Sequence, residues 1–290
     1  MSGLLHRPAW LLGPALVVVA TLLGLPLCMV VVASFGEFGG TGGGSFHWSL
    51  ANYESIFGDD FYPGILLRTV TISLAATALS VAIGFVLAMK LRSTTPRMRT
   101  VLIMIIVAPL LVSAVARTYG WLLVLGEKGL VNALLLHVRL IDQPLKLLYN
   151  DWAVIFGLTH LLVAFPALAI QASLERIDPE IMEAAEMAGA SPWRKFTQIL
   201  LPMTTPGIAA GAIFSFTLAM SAYVTPALMG GEKSVLATLI YQKFVVSYDW
   251  NFGACLALLL VLASLVGTVL IAFAITGPYR RRITALRMAS

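Results

Sequence analysis

The sequence predicts an all-α polytopic membrane protein with six transmembrane helices. Of its 290 residues, 59% are hydrophobic and only 11% are charged, and the mean hydropathy is +0.90. Soluble domains carry about 25% charged residues, so the charges are too few to cover a soluble surface. The apolar stretches exceed the about ten residues of a β-barrel strand and do not alternate in polarity, which favours helices. The composition also excludes intrinsic disorder, and two cysteines exclude a disulfide-rich scaffold.

Six long apolar segments account for the predicted helices. A transmembrane helix needs about 20 mostly apolar residues, and each segment supplies them. Arg117 interrupts the third segment, while Pro202 and Pro206 indicate that the fifth enters the membrane near Thr204. The segments comprise residues 9–36, 69–89, 100–126, 152–174, 204–231 and 250–276.

The distribution of basic residues predicts the orientation, because lysine and arginine are in excess in cytoplasmic loops. Twelve of them fall on the side that contains both termini, the 90–99 loop and the 175–203 segment, and seven fall on the other side. Both termini and these two segments should therefore be cytoplasmic. The net charge of +5 is spread over short segments between the spans, so we expect no nucleic-acid partner.

The two long outer loops differ in composition. The 36–64 loop starts with a glycine run at 39–44, whose backbone should be mobile, and continues with aromatic residues suited to the membrane interface or to docking on protein. The 127–151 loop mixes charged residues with apolar runs and should include a short surface helix. The chain thus divides into an N-terminal helix with its external loop (1–64), a transmembrane core (65–277) and a basic cytoplasmic tail (278–290).

The cytoplasmic segment between the fourth and fifth spans has strong local signals. Asp178 followed by Pro179 is typical of a helix N-cap with proline at the first helical position. Gly189 stands where a left-handed residue would end that helix, and Ser191 with Pro192 repeats the cap signal for a second helix. The pattern predicts a helix, a tight glycine turn and a helix. On the caps alone, an ordinary capped intracellular loop is the better explanation, because capping signatures are common.

Seven residues of this segment match in full the EAA signature of binding-protein-dependent ABC importer permeases. The signature reads E-A-A, three residues, G, nine residues, I-x-L-P, and it occurs here in the loop before the penultimate span. The resemblance implies the fold of type I ABC importer permeases, and it assigns to residues 176–203, the EAA loop, a coupling helix that docks on an ATP-binding subunit. The matching residues are Glu183, Ala184, Ala185, Gly189, Ile199, Leu201 and Pro202.

Looser matches extend over nearly the whole chain. The stretches RTYGW (117–121), EKGLVN (127–132), YVTPALMGG (223–231) and DWNFG (249–253) are similar to the first permease of spermidine/putrescine-type importers. The resemblance implies two ATP-binding subunits, a second related permease in a heterodimer, and an external solute-binding protein. The solute would be a small molecule, a polyamine or a related amine or opine-like compound. The expected location is the bacterial cytoplasmic (inner) membrane.

The chain itself is not expected to be an enzyme or to bind a cofactor. It lacks the phosphate-binding motif G-x-x-x-x-G-K-[ST], and its nearest approach, residues 231–234, lies on the predicted outer side. ATP and Mg would therefore be bound by the partner ATPase subunits. No metal site is expected either, and His160 in the fourth span is interpreted as a hydrogen-bonded core residue because no second ligand stands at helical spacing.

Four residues are candidates for the solute path: Arg117, Tyr119, Trp121 and Tyr223. An ionisable residue within a span is a functional candidate, but Arg117 could equally extend to the interface beside aromatic neighbours. Tyr223 precedes Pro226, which can free carbonyls toward a cavity, or it could serve helix packing. The predicted spans contain no Asp or Glu, so the path offers a cation only aromatic rings and Arg117 would oppose it. The solute therefore stays open at this point.

Two other classes of function compete with an importer subunit. An intramembrane enzyme would need a motif such as G-x-S-x-G or H-E-x-x-H, and neither is present. A secondary transporter or channel would be expected to show internal repeats or buried ion-coupling acids, and it would need no ATPase partner.

Overall fold

Helices form nearly all of the protein. The computed structural model describes residues 8–38, 46–232 and 234–288, and the predicted mobile glycine run at 39–44 lies outside them. The only non-helical regular element within the described part is an antiparallel pair of three-residue strands, β1 (Gly36–Phe38) and β2 (Phe46–Trp48), with Gly36 opposite Trp48. The predicted all-α class is therefore confirmed, with a small β-ladder added in the first outer loop.

Fourteen α-helices lie in the described ranges. In chain order they are α1 (Pro8–Ser34), α2 (Ala51–Gly58), α3 (Phe61–Arg92), α4 (Pro96–Leu111), α5 (Ala114–Leu125), α6 (Leu130–His137), α7 (Asp151–Leu162), α8 (Ala164–Leu174), α9 (Pro179–Met187), α10 (Pro192–Lys195), α11 (Leu201–Ser221), α12 (Val224–Met229), α13 (Leu236–Tyr241) and α14 (Trp250–Met288). Wide π-helical turns join α10 to α11 at Phe196–Leu200 and follow α13 at Gln242–Val246.

The helix lengths fit a multi-pass membrane protein. Among the described residues, five helices are long and apolar enough to cross a membrane: Gly13–Ser34, Phe61–Arg92, Ala114–His137, Pro192–Ser221 and Trp250–Gly277. The helices α7 and α8 meet at an angle of 42° and make a sixth span if the bent pair crosses as one unit. The predicted count of six holds on that reading.

The third predicted span is not a continuous helix. We expected one helix over 100–126, but α4 ends at Leu111 and α5 begins at Ala114, because Val112 and Ser113 adopt extended backbone angles. Pro109 lies in the last turn of α4, where its missing N–H weakens the helix. The candidate span here begins at Ala114 and extends to His137, beyond the predicted end.

The helix that contains the fifth predicted span begins before Thr204. It runs without interruption from Pro192 to Ser221, and the membrane entry expected near Thr204 stays a prediction. The π turn before Pro202 widens the backbone where a proline ring would crowd the preceding turn. At the other end, Ala222 is extended and α12 forms a separate short helix. The sixth helix, α14, continues through the predicted tail to Met288.

Two compact units divide the chain. The first comprises residues up to 64 together with 239–261. In it, two residues of the aromatic outer stretch dock on protein as expected: the Tyr53 hydroxyl donates to Ser34 Oγ at 2.9 Å, and the Tyr62 ring lies 5.3 Å from the ring of Phe252. The second unit comprises 65–238 and 262–290 and contains the EAA loop.

The second unit is built around the close packing of α8 on α11. Gly207 and Gly211 lie one turn apart on α11 and face Ala169 and Pro166 of α8 at distances that leave no room for a Cβ atom. Small residues at this spacing let helix backbones approach closely in membrane proteins. A hydrogen bond from Ser215 Oγ to the Leu162 carbonyl, at 3.4 Å, adds a polar contact further along α11.

Polar contacts also connect α3, α7 and the segment before α13 in the same unit. The Arg68 guanidinium forms an ion pair with Asp151 at the start of α7 and donates to the Ser234 carbonyl at 2.8 Å. The next residue, Thr69, accepts a hydrogen bond from the Leu236 amide at 2.9 Å. The short helix expected within 127–151 is α6, and Asn132 fixes it by bonding to the backbone of Gly126 and Leu145.

We expect Gly211→Ala to destabilise the protein, because the new methyl group would overlap Pro166. Overpacking of this kind costs about 1–3 kcal/mol, which exceeds the helix propensity gained from alanine. Gly120→Ala in α5 is the matched control, since a Cβ there meets nothing within 4 Å. Thermal unfolding in detergent should show a lower Tm for the first variant and an equal or higher Tm for the second. Equal Tm values would contradict the close α8–α11 packing.

Candidate functional site

The first half of the EAA loop is a short capped helix. Asp178 Oδ1 accepts a hydrogen bond from the Glu180 amide at 3.1 Å, and Pro179 occupies the first helical position. The cap thus satisfies one of the amides that a helix start leaves free. Both local predictions are confirmed, and α9 extends over Pro179–Met187.

The helix α9 ends in a turn that is centred on Gly189. Gly189 has a φ of 75°, in the left-handed region that glycine adopts without strain. Its amide donates to the Glu186 carbonyl at 2.9 Å, and the Ala190 amide donates to the Ala185 carbonyl at 2.9 Å. These two bonds define a Schellman motif, which closes the last carbonyls of a helix. The signature glycine is therefore explained by backbone geometry.

The chain then reverses into the second arm of the loop. Ser191 Oγ accepts from the Arg194 amide at 3.3 Å, and Pro192 begins α10 as predicted. Lys195 forms an ion pair with Glu186 at 3.2 Å, which joins the two arms across the glycine turn. The basic residue near the start of α10, unfavourable for the helix dipole, is compensated by this carboxylate.

The remaining signature residues lie at the base of the second arm. The Leu201 amide donates to the Phe196 carbonyl, which closes the wide π turn, and Ile199 lies within that turn. Pro202 follows at the start of α11. A single π turn inside a helix is frequent at functional sites.

The outer surface of the loop is exposed. The helix α9 has no buried residue, and both Glu183 and Ala184 are exposed. Among the described residues, the Glu183 carboxylate has no hydrogen-bond or ion-pair partner, in contrast to Glu186. Two large apolar side chains of the loop are also exposed, Met187 of α9 at 86% and Trp193 of α10 at 71%. Such a surface can dock on a partner through apolar contacts around a free carboxylate.

The inner side of the loop rests on an apolar cluster. Ile177, just before the cap residue, is 3% exposed and belongs to a buried group. Met182 of α9 and Phe196 of the second arm pack against this group, and the Phe196 ring meets that of Phe85 edge-to-face at 5.6 Å. The buried members are Ala88, Ile170, Leu174, Ile177 and Leu200.

Three charged residues near the base of the loop were not indicated by the sequence. Arg92 donates to the carbonyls of Leu174 and Ile177, and Arg99 forms an ion pair with Glu175 at 2.8 Å. Their partners lie far away in the sequence, so local patterns gave no signal beyond the general excess of basic residues in the 90–99 loop.

The Arg117 side chain donates hydrogen bonds to the backbone at the end of α4. Its Nη1 donates to the carbonyl of Pro109 at 2.8 Å and to that of Val112 at 3.2 Å. These carbonyls stand at the end of α4, where the helix break leaves them without amide partners. A cation at this position also interacts favourably with the negative end of the helix dipole. The contacts favour a capping role for Arg117.

Trp121 lies in an apolar hollow of about 490 Å³ between α3, α5 and α7. Its Nε1 donates to His160 Nδ1 at 3.4 Å, and its ring meets that of Phe156 edge-to-face at 4.7 Å. The interpretation of His160 as a hydrogen-bonded residue is thereby supported. Within the described ranges, no group of three or more His, Cys, Asp or Glu residues could hold a metal ion.

Tyr119 and Tyr223 lie on two adjoining elements. The helices α5 and α12 meet where Thr118 Oγ1 and Thr225 Oγ1 are 3.3 Å apart. Tyr119 is 54% exposed, and Tyr223, at the start of α12, is 43% exposed. All four candidates therefore lie on α5 or at the start of α12, but the Arg117 guanidinium turns back to the end of α4.

Long apolar helices and an exposed capped loop define a multi-pass membrane protein. Residues 80–281 match the family model described as "Binding-protein-dependent transport system inner membrane component". The chain belongs to this family, the permease components of ABC importers.

Curated relatives agree with this membership. The spermidine/putrescine transport system permease protein PotB of Haemophilus influenzae is 30% identical over 257 residues, which cover 88% of this chain and 87% of the relative. PotB of Escherichia coli K12 is 31% identical, covering 82% and 86%. A putative 2-aminoethylphosphonate transport system permease protein, PhnU of Salmonella typhimurium, is 26% identical, covering 88% of each chain.

Solved structures share the fold. A chain of the bacterial alginate ABC transporter, in complex with its alginate pentasaccharide-bound periplasmic protein, aligns with a TM-score of 0.71 at 20% identity and covers 95% of both chains. A chain of the MetNI methionine ABC transporter in an inward-facing conformation aligns with a TM-score of 0.54 at 18% identity, covering 74% of this chain and 93% of that one. The type I importer fold expected from the sequence is confirmed.

We expect Gly189→Val to loosen the EAA loop and Gly189→Asn to preserve it. A Cβ at this position meets nothing within 4 Å, so only the positive φ matters. A left-handed residue costs about 1–2 kcal/mol for most side chains, but asparagine tolerates the conformation. Hydrogen exchange should show faster amide exchange over 179–195 for the valine variant and near wild-type exchange for the asparagine variant. Equal protection in both would contradict the assigned role of the turn.

Proposed function

We propose that this chain forms part of the solute path of an ATP-driven importer and transmits the action of a separate ATPase through its EAA loop. The observation that carries the proposal is the exposed helix α9, fixed at both ends by caps and presenting the free carboxylate of Glu183. The geometry is that of a rigid element prepared for a partner, because neither the turn nor the cap must rearrange on docking.

The coupling follows from differential binding. ATP must favour one arrangement of the ATPase subunits over another, since a ligand shifts an equilibrium only by its difference in affinity for two states. The docked α9 would move with its partner and carry the displacement to α8 and α11. Reciprocity then requires that solute loading changes the ATP-driven closure by the same factor.

The assembly would contain two ATP-binding subunits, a second related permease in a heterodimer and an external solute-binding protein. ATP and Mg would be held by the ATPase subunits. The excess of basic residues on one side supports cytoplasmic termini and a cytoplasmic EAA loop in the bacterial inner membrane. This orientation would place α9 on the side where ATP is available.

The solute we propose is a polyamine or a related organic amine. The names of the relatives support this class, and the exposed rings of Tyr119 and Tyr223 supply faces that attract a cation. The Arg117 guanidinium keeps its charge, which the two carbonyl dipoles at the end of α4 partly offset. Trp121 would support the wall of the path from the hollow beside α7.

The docking role is tested with Glu183→Lys. We expect the variant to lose most ATPase subunit on co-purification, or to hydrolyse ATP without transport, because it places a cation where the partner meets a carboxylate. Uptake of labelled spermidine into proteoliposomes and ATP hydrolysis are measured on the same sample.

Glu180→Lys is the matched control, because Glu180 is exposed on the same helix but lies outside the signature. Wild-type transport and wild-type ATPase content in the Glu183 variant would refute the coupling role. Uptake by a preparation that contains no ATPase would instead indicate a secondary transporter.

The aromatic path is tested separately with Tyr119→Ala and Tyr119→Phe. Removing the ring should raise the KM for spermidine about two- to five-fold, which corresponds to an exposed cation–π contact. The phenylalanine variant keeps the ring face and should stay near the wild-type KM. An unchanged KM in the alanine variant would remove Tyr119 from the path.

A further inference from the structure

The direction of α9 must be set from outside the helix. It has only nine residues and no buried side chain, and Met182 alone among its side chains packs against the apolar cluster beneath it. Isolated helices shorter than about 12–15 residues are marginal in water, so packing and end contacts decide whether and where such a helix forms. The glycine turn and the Lys195–Glu186 ion pair hold the far end of α9, and the junction with α8 sets its direction at the start.

Arg92 binds both sides of that junction. It is the last residue of α3, and its guanidinium donates to the Leu174 carbonyl at 3.1 Å and to the Ile177 carbonyl at 3.3 Å. Leu174 ends α8, and Ile177 directly precedes Asp178, the N-cap of α9. The Leu174 carbonyl also accepts from the Ile177 amide at 3.2 Å, so Arg92 adds a second donor there, donates to the Ile177 carbonyl as well, and complements the negative end of the α8 dipole. One planar group therefore spans the turn from α8 to α9.

Arg99 makes a second contact with the same turn. It lies in the first turn of α4, where a positive charge is unfavourable for the helix dipole. The compensation comes from Glu175, whose Oε1 is 2.8 Å from Arg99 Nη2 and also accepts from Gln171 Nε2 at 3.4 Å. The end of α3 and the start of α4 thus each contact the junction through one arginine.

We propose that Arg92 and Arg99 are positioning residues for energy coupling, which hold the junction of α8 and α9 so that α9 meets the ATP-binding subunit in one orientation. The inference rests on the proposed function, since it assigns α9 to that contact. Neither residue belongs to the EAA signature. They act through the junction, without touching the partner.

Orientation in the membrane alone does not explain these contacts. A positive charge anywhere in the 90–99 loop would contribute equally to the orientation. Arg97 is such a charge, and its surroundings differ from those of Arg92 and Arg99. Arg97 is exposed and, among the described residues, has no hydrogen-bond or ion-pair partner. The two positioning arginines instead each engage specific atoms of the junction. Arg97→Gln is therefore a matched control for loss of charge.

The test titrates the purified ATP-binding subunit onto the permease pair in lipid nanodiscs and measures the Kd. Arg92→Met should weaken docking about ten-fold, because charge-assisted hydrogen bonds to partly buried carbonyls are lost. Arg99→Glu should weaken it about three-fold, as expected for a partly exposed ion pair. The charge swap Arg99→Glu with Glu175→Arg should restore the wild-type Kd, whereas Arg97→Gln should leave it unchanged.

Gly189→Val and Glu183→Lys, measured in the same assay, separate the two hypotheses. Wild-type Kd values for the Arg92 and Arg99 variants, beside weakened docking by the loop variants, would overturn the positioning role alone. Wild-type Kd values for all of them would refute the proposed function as well. If Arg92→Met does not assemble, Arg92→Lys replaces it: it keeps the charge but loses the planar fork, so weakened docking supports the role and a wild-type Kd overturns it.

Discussion

The proposed coupling geometry depends on how α8 ends. The helix stops at Leu174, and within a few residues the chain buries Ile177 and begins α9 at Pro179, with Asp178 as its N-cap. A short helix without a core of its own inherits its direction from such a junction. The buried side chain fixes the position of the turn, while the two arginines of the 90–99 loop fix its rotation by binding carbonyl and carboxylate oxygens around it.

Arginine contacts to backbone carbonyls recur at three places in the described part of this protein. Carbonyls released at a break cannot rely on water in or near a bilayer and need a donor from the protein. Arg92 serves this purpose at α8, Arg117 at α4, and Arg68 at the loop before α13. Arginine suits the task because its planar group carries five donors and stays charged. These basic residues contribute to the charge pattern that predicts orientation, and they also donate hydrogen bonds to backbone carbonyls.

Local features of the EAA loop could be predicted from the sequence, and the contacts that hold it could not. The caps at Asp178 and Ser191 and the turn at Gly189 are encoded by adjacent residues, so their chemistry is legible without a structure. Arg92 instead meets partners 82 and 85 positions away, a distance over which no periodic pattern operates. The break at Val112 could not be predicted from hydropathy either, because hydropathy measures how apolar a segment is and carries no information on its backbone angles.

The packing of α8 on α11 gives the proposed coupling a mechanical basis. The EAA loop leaves from α8 and returns into α11, and the contacts of Gly207 and Gly211 with α8 exclude sliding of one helix past the other without overlap. In the proposed coupling, a displacement of α9 would therefore move both helices as one body. The first place where this body can yield is the extended residue Ala222, after which α12 presents Tyr223. Because α12 meets α5 at the Thr118–Thr225 contact, movement on the ATPase side would reach the aromatic residues of the proposed path through a single break in the backbone.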